Sequence, residues 1–466
     1  MEVRHIGDVQ GLNVNVDYVQ DIRNFPEINI LDNSAKIADL SEMMTGKYFT
    51  SLSPIAKDHP LTYLGNGQIT NAATYPDGTI FAGKSDGSVV KIDRNGNETT
   101  LLSLSGNKVE WRCFFLDDAL NLYVSPHATH GSLTMTDRGL YRLPYGGSSF
   151  TKVISLYNPS STDTPETQSN DDTIWTMCED IHGYLYAGVY CHSVRYAPRI
   201  YRSTDGGETW VDYYNFLNIL ANGHHVHCIT YNQYNDALYC IIGEVNTILK
   251  STDQGTTWTN LQVVCEDDKG TMLFAVPDGI IVGSDSAWCL IMSKLYADDK
   301  TIKTNSRVWA NTCFAIRQSD VTGWLYAFSK IDTSVNNTAY FPPIDAISDP
   351  SALQTWQNSS PTYLAKWTQY HNRVEGWYPD DAIRPQHFGI LRSKDNGETW
   401  EVVYREFVSS SSSNGIYCVS DFRNGECLCG RIIGGEVVQP MILSDGKHNF
   451  NVSGIDKDSE LFAPLS

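Results

Sequence analysis

The chain has 466 residues, with 54 Asp and Glu against 34 Lys and Arg, a net charge of -20. With 41% hydrophobic and 19% charged residues it can bury a full core, which excludes wholesale disorder. The acidity disfavours nucleic-acid backbones and anionic lipid surfaces as bulk partners, and the 26 Tyr and 11 Trp suit a strand-rich protein.

The first segment, 1–60, shows neither the apolar core of a secretory leader nor a strand pattern. Asn33 or Ser34 could cap a short helix over NSAKIADLSEMMTGKYF. The rest reads as an irregular attachment piece. No apolar run reaches the roughly 18 residues of a membrane span, so no membrane insertion is expected. The expectation is a chain made without a signal peptide that acts extracellularly or in a virion, otherwise in the cytoplasm.

From 61 to 466 short strands recur in triplets. The last strand of each triplet is SVVKI (88–92), GLYRL (139–143), RIYRS (199–203), TILKS (247–251), CLIMS (289–293), GILRS (389–393) or PMILS (440–444). Before them come GTIFAG, LNLYVS, GYLYAG, DALYCIIG, DGIIVGSD, GWLYAFS and GECLCG, and before most of these an innermost strand such as WRCFF, IWTMCED, VHCIT, TMLFAV, TCFAI or IYCVS. Most steps are about 40–60 residues, the length of one four-stranded blade. The step from 293 to 393 is too long. Residues 336–385, rich in Pro, Ser and scattered aromatics, are read as an insertion, and long insertions commonly line a site. Cys113, Cys178, Cys228, Cys313 and Cys418 fall at one repeat position on this reading, as small apolar residues packed between blades. With 11 Cys, an odd number, and no CxxC pair, the thiols are expected to be mostly reduced.

Three segments are nearly identical: RSTDGGETW (202–210), KSTDQGTTW (250–258) and RSKDNGETW (392–400). Each fits S-x-D-x-G-x-T-W, through Ser203, Asp205, Gly207 and Trp210, through Ser251, Asp253, Gly255 and Trp258, and through Ser393, Asp395, Gly397 and Trp400. The Asp accepts bonds from turn amides, the Gly allows positive φ, and the Trp tucks under the hairpin. The pattern resembles the Asp-box, or BNR repeat, of sialidase-like β-propellers. With the seven triplets, the resemblance implies an all-β, seven-bladed propeller of four-stranded antiparallel blades. It also implies that the boxes join third and fourth strands at the rim as structural staples. Ligands would then meet the opposite face, where the loops joining strands 2–3 and 4–1 converge.

Sorted by that rule, the 2–3 loops hold His127, His130, Tyr190, His192, Arg195, Tyr196, Glu244, Asp285 and Trp288, and the insertion adds His371, Arg373 and Tyr378. The innermost strands add Glu110, Arg112, Trp175, His224, His225, His227 and Arg317. From these, His192, His225, His227 and Tyr196 are the candidate catalytic residues. Arg112, Arg195, Glu244, Asp285, Trp288, Arg317, His371, Arg373 and Tyr378 are the candidates for substrate binding. His225 and His227 lie on one side of a strand and could hold a metal with Glu244 or His192, but no zinc signature accompanies them. No metal and no cofactor are expected.

The resemblance would imply a sialidase only with an early Arg motif, and Arg4 and Arg23, in EVRHIG and DIRNFP, do not supply it. The boxes transfer; the sialidase catalytic residues do not. The supply of His, Tyr and Arg fits a glycoside hydrolase or polysaccharide lyase acting on an acidic glycan. The alternative is a non-catalytic phage virion or tail component with a receptor-binding or structural role, bound to virion proteins through residues 1–60. Sequence leaves open whether the chain cleaves its glycan.

Overall fold

The computed structural model describes residues 51–54, 69–93, 97–127, 132–156, 173–190, 198–220, 225–243, 247–261, 269–285, 290–308, 312–331, 350–359, 387–407, 414–417, 420–433 and 436–445. The chain divides into two compact units, Leu52–Leu443 and a second of Met1–Ser51 with Ser444–Ser466. Of the second unit only Ser51, Ser444 and Asp445 are described, so the capped helix expected near Asn33 lies outside the described residues.

The strands follow the triplets. After β1 (Ser51–Pro54), the first sheet is β2 (Ile69–Thr74), β3 (Ile80–Lys84), β4 (Ser88–Ile92) and β5 (Glu98–Ser103). The two-residue strands β6 (Gly106–Asn107) and β9 (Ser132–Leu133) pair with each other. The second sheet is β7 (Glu110–Leu116), β8 (Leu122–His127), β10 (Gly139–Leu143) and β11 (Thr151–Ser155). The third is β12 (Thr173–Glu179), β13 (Leu185–Tyr190), β14 (Arg199–Ser203) and β15 (Val211–Asn215). The fourth is β16 (Val226–Asn232), β17 (Ala237–Ile242), β18 (Ile248–Ser251) and β19 (Thr259–Asn260).

The next sets are β20 (Lys269–Val276), β21 (Gly279–Asp285), β22 (Leu290–Tyr296) and β23 (Ile302–Val308), then β24 (Thr312–Gln318), β25 (Leu325–Ile331), β26 (His387–Ser393) and β27 (Glu401–Phe407). The last set is β28 (Asn414–Tyr417), β29 (Glu426–Ile433) and β30 (Glu436–Ser444). Together with β1 these three sets form a 12-stranded sheet, joined by the single bridge of Asp285 to Thr312 and by the pairing of Lys330 and Ile331 with β28. Within the insertion, the described residues form one helix, α1 (Pro350–Ser359).

The architecture is a β-propeller of four-stranded antiparallel blades. Its blade count corrects the expectation. Among the described residues six blades, not seven, are built from four consecutive strands. The last set supplies only β28–β30, and the place beside β30 is taken by β1. The reason is topological: pairing strands from the two ends of the repeat region leaves β30 without an open edge. Nearby, Leu428 and Ile442 pack with Ile69, Ile80 and Val90, and Arg423 Nε donates to Thr74 O at 3.4 Å.

No single core fills the molecule. Each sheet buries its faces against the next, so second strands such as β8 and β17 are buried along their whole length, while the outermost β5 is mostly exposed. Between the second and third sheets, Cys113, Tyr123, Leu140, Ile174 and Leu185 form one such cluster.

The three S-x-D-x-G-x-T-W turns share one set of bonds and join third to fourth strands. In the first, Ser203 Oγ donates to Asp205 Oδ1 at 2.7 Å and accepts from Gly207 N at 2.9 Å. Thr209 donates to Asp205 from N at 2.9 Å and from Oγ1 at 2.5 Å, and Trp210 Nε1 donates to Gly207 O at 3.1 Å. The bonds from Thr209 hold the Asp205 carboxyl at about 2. Gly207, Gly255 and Gly397 have φ of 78°, 80° and 82°. The turns also lock neighbouring sheets. Fully buried Tyr123 places its Oη 2.9 Å from Gly206 O, and Tyr186 places its Oη 3.2 Å from Gln254 O, each in the next sheet's turn.

The thiol register needs a second correction. Cys113 and Cys228 each follow the bulge of their inner strand, but Cys313 precedes its bulge and Cys178 lies three residues beyond; Cys418 is outside the described residues. Cys113, Cys178, Cys228, Cys240, Cys313, Cys427 and Cys429 are all buried thiols outside any disulfide, and burial raises the Cys427 thiol to about 12. These seven are therefore expected to resist alkylation in the native protein and to react once urea opens it. Modification of Cys113 or Cys228 under native conditions, read by mass spectrometry, would contradict this packing.

Candidate functional site

Each inner strand of the six complete blades carries a β-bulge near its start. The residue left without a partner is Thr70 in β2, Arg112 in β7, Trp175 in β12, His227 in β16, Thr271 in β20 and Phe314 in β24. A bulge re-aims the side chain it carries. Thr70 and Thr271 serve the scaffold: Thr70 Oγ1 accepts from Trp111 N at 3.1 Å, and Thr271 Oγ1 donates to Cys313 O at 2.9 Å. Arg112, Trp175 and His227 occupy three adjacent sheets and bring their chemistry together.

The cluster is continuous. The Arg112 guanidinium lies 5.2 Å from the Trp175 ring centroid. Tyr190, the last residue of β13, packs edge-on to Trp175 at 4.1 Å and against His225 at 4.0 Å. The His225 and His227 rings meet with their Nε2 atoms 2.8 Å apart. His227 Nδ1 lies 2.7 Å from Gly270 O, an acceptor only, so Nδ1 carries a proton, and when His227 is neutral its Nε2 accepts from His225. Two doubly protonated rings would point N–H at N–H across that gap, so the pair holds at most one extra proton. A Cβ at Gly243 would fall 2.3 Å from His225 Nε2, so the pair needs a glycine at the end of the second strand.

Trp175, Tyr190, Arg112 and Glu110 are half-buried, whereas His127, His225 and His227 are buried behind them. Glu110 Oε2 pairs with Arg112 Nη2 at 2.5 Å, and Arg112 Nε donates to His127 Nδ1 at 3.4 Å. Arg112 Nη1 is buried and has no hydrogen-bond partner among the described residues. Burial alone would raise the Glu110 carboxyl, but the Arg112 guanidinium and the His127 ring outweigh it and hold it at about 2. A depressed carboxyl stabilises the fold above its unfolded value near 4.5 and loses that contribution as pH falls toward 2. Glu110→Gln is expected to cost about 2 kcal/mol at neutral pH, since it strands a buried guanidinium. The gap from the parent should begin to close below about pH 5 and vanish toward pH 2 in urea unfolding. A gap independent of pH would show that the ion pair is not its source.

Of the candidate site residues, the structure brings together Arg112, His225 and His227. Arg317 is a correction: it sits three residues past the Phe314 bulge, toward the opposite end of its strand, with Nε 3.0 Å from Asp421 Oδ1. Its sequence position near a strand start is undone by the length of β24. Asp285 ends β21 and pairs with Lys269. His192, Arg195, Tyr196, Glu244, Trp288, His371, Arg373 and Tyr378 lie outside the described residues. Trp175, Tyr190, Glu110 and His127 were readable as neighbours on the same face, but nothing in the sequence shows that bulges gather them. Among the described residues no group of three or more His, Cys, Asp or Glu is placed to hold a metal. No described helix is long and apolar enough to cross a membrane.

No protein-family model matches the chain, and no curated protein is significantly similar to it. Solved structures are. A catalytically inactive virginiamycin B lyase from Staphylococcus aureus with quinupristin superposes with a TM-score of 0.50 at 11% identity, covering 85% of this chain and 99% of that one. The WD40 β-propeller domain of Doa1 gives 0.48 at 10% identity, covering 86% and 98%. YCF48 from Cyanidioschyzon merolae gives 0.45 at 10% identity, covering 84% and 99%. At such identities the likeness concerns the propeller fold alone.

Proposed function

We propose that this propeller is of the Asp-box, sialidase-like type and engages an acidic glycan at the face where β7, β12 and β16 begin. The observation that carries the reading is the convergence of three bulged side chains, Arg112, Trp175 and His227, from adjacent sheets. Trp175 and Tyr190 offer an aromatic wall for a sugar ring, and the half-buried Arg112 side chain places a positive charge beside it. The identical bonding of the three box turns supports the Asp-box type.

If the chain cleaves, elimination on a uronate polymer suits these groups best. A base takes the C5 proton, the C4–O bond breaks, a C4=C5 double bond forms, and the leaving oxygen is protonated. Tyr190 reaches the surface and stacks on the His225–His227 pair, so it is the group placed to exchange that proton. Hydrolysis, with His192 and Tyr196 taking part, belongs to the same proposal. The burial of both imidazoles favours the second reading, a non-catalytic virion or tail component that binds a receptor glycan. There, residues 1–60 would join virion proteins.

Affinity electrophoresis on gels containing alginate or pectate tests binding, and ultraviolet absorbance of unsaturated uronate tests cleavage. Binding should weaken at least tenfold in Trp175→Ala and Arg112→Ala while the melting temperature of Trp175→Ala changes little. Retardation equal in the parent and both variants would sink the site. Retardation without unsaturated product would select the non-catalytic reading.

A further inference from the structure

At the other ends of the inner strands, away from Arg112 and His227, lies a cavity of about 350 Å3. Its lining includes Asp118, Glu179, Ile181, Tyr231, Tyr234 and Phe274, drawn from consecutive sheets. The carboxylates share the wall with apolar side chains and with the neutral polar Thr230, Gln233 and Gln318. No Lys, Arg or His lines it. Asp180, also in the wall, is occupied by its own turn: it accepts from His182 N at 2.9 Å, Tyr184 N at 3.0 Å and Tyr186 Oη at 2.8 Å. Glu179 is different. Its Oε2 accepts from Asp118 N at 2.7 Å, while Oε1 and the Asp118 carboxylate have no bond or ion pair among the described residues.

We propose that this cavity binds an aliphatic ammonium ion, its head between Glu179 and Asp118 and its stem along Tyr234, Ile181 and Phe274. Two carboxylates held close together without a cation repel each other, and an ammonium relieves that repulsion. Burial and the neighbouring Asp118, Asp117 and Asp180 raise the Glu179 pKa against the opposing bond from Asp118 N, in keeping with that repulsion. The apolar surface of Ile181, Tyr234 and Phe274 argues for a stem. Ile181 is 71% exposed and Tyr234 49% exposed, a surface that a bare metal ion would leave uncovered and an alkyl chain would bury. The volume is at the small end of ligand pockets, enough for a short alkylamine or a lysine side chain.

The test is calorimetric titration of the full chain with 1,5-diaminopentane, against uncharged 1,5-pentanediol. The diamine is expected to bind saturably, the diol not. Glu179→Gln keeps an acceptor for Asp118 N and should weaken the diamine at least tenfold with an unchanged melting curve. Asp118→Asn serves if Glu179→Gln does not fold. N-acetyl-lysinamide separates the two sources of the same group: tighter binding than the diamine marks a partner's lysine, weaker binding a free amine, and either order supports the site. Equal heats from diamine and diol, or diamine binding indifferent to both substitutions, would overturn it.

Discussion

Gly207→Ala is expected to destabilise the protein by about 3 kcal/mol or more, whereas Gly206→Ala, one residue away, should cost about 1 kcal/mol. Both glycines have positive φ, 67° at Gly206 and 78° at Gly207, so both substitutions carry the backbone strain of a left-handed residue. Only Gly207 carries a second cost. A Cβ there would lie 2.1 Å from Tyr123 Oη, while nothing lies within 4 Å of one at Gly206. Tyr123 cannot retreat: it is fully buried, and the single proton on its Oη is shared between Gly206 O at 2.9 Å and Asp117 Oδ2 at 3.1 Å. The overlap would push apart two sheets at the point where a turn of one is locked to a tyrosine of the other. Urea unfolding of the two variants beside the parent checks this. Equal losses would mean that φ alone explains the turn and that the tyrosine contact contributes nothing.

The same turn shows what the sequence made readable. Ser203, Asp205, Gly207, Thr209 and Trp210 act within nine residues, so their bonds are written locally and three copies could be recognised by eye. Strands such as Ser88–Ile92 and Gly139–Leu143 coincide with the repeats read from the sequence, because an apolar run between turn residues has few alternatives in a layered sheet. What was not readable depends on pairing between distant strands. The bulges that turn Arg112, Trp175 and His227 toward one another are set by registers across the sheet, and a single inserted residue shifts which side chain faces the opening. The same shift separates Cys178 and Cys313 from the position assigned to them and sends Arg317 to the far end of its strand. The partner that fills the sheet beside β30 comes from β1, and nothing in a repeat pattern identifies a partner drawn from the other end of the chain. The His225–His227 contact lay within reach of alternation along a strand, but the Gly270 carbonyl that fixes its proton did not.

Lys294→Ala is the other substitution expected to cost about 3 kcal/mol, and Lys294→Met, which keeps the stem, about 1 kcal/mol. Lys294 is wholly buried in β22, with Nζ 2.7 Å from Asp278 Oδ2 and 2.8 Å from Glu398 Oε1. Glu398 belongs to the third S-x-D-x-G-x-T-W turn, in the next blade, and Tyr296 Oη donates to its other oxygen at 2.9 Å. The lysine therefore ties a blade to its neighbour's turn, as Tyr123 and Tyr186 do elsewhere. Its burial opposes the charge, but the bonds to Asp278 and Glu398 prevail and raise its pKa, and the bond from Lys294 lowers that of Glu398. The two carboxylates are 53% and 35% exposed, so water can reclaim them when the cation is lost. The buried stem has no such replacement, and its removal leaves a cavity between packed sheets. Methionine fills that space with nearly the same shape and needs no partner. Comparison of both variants by urea unfolding separates the contributions. Losses of the same size would show that the ion pairs, and not the stem, hold the blades together at this point.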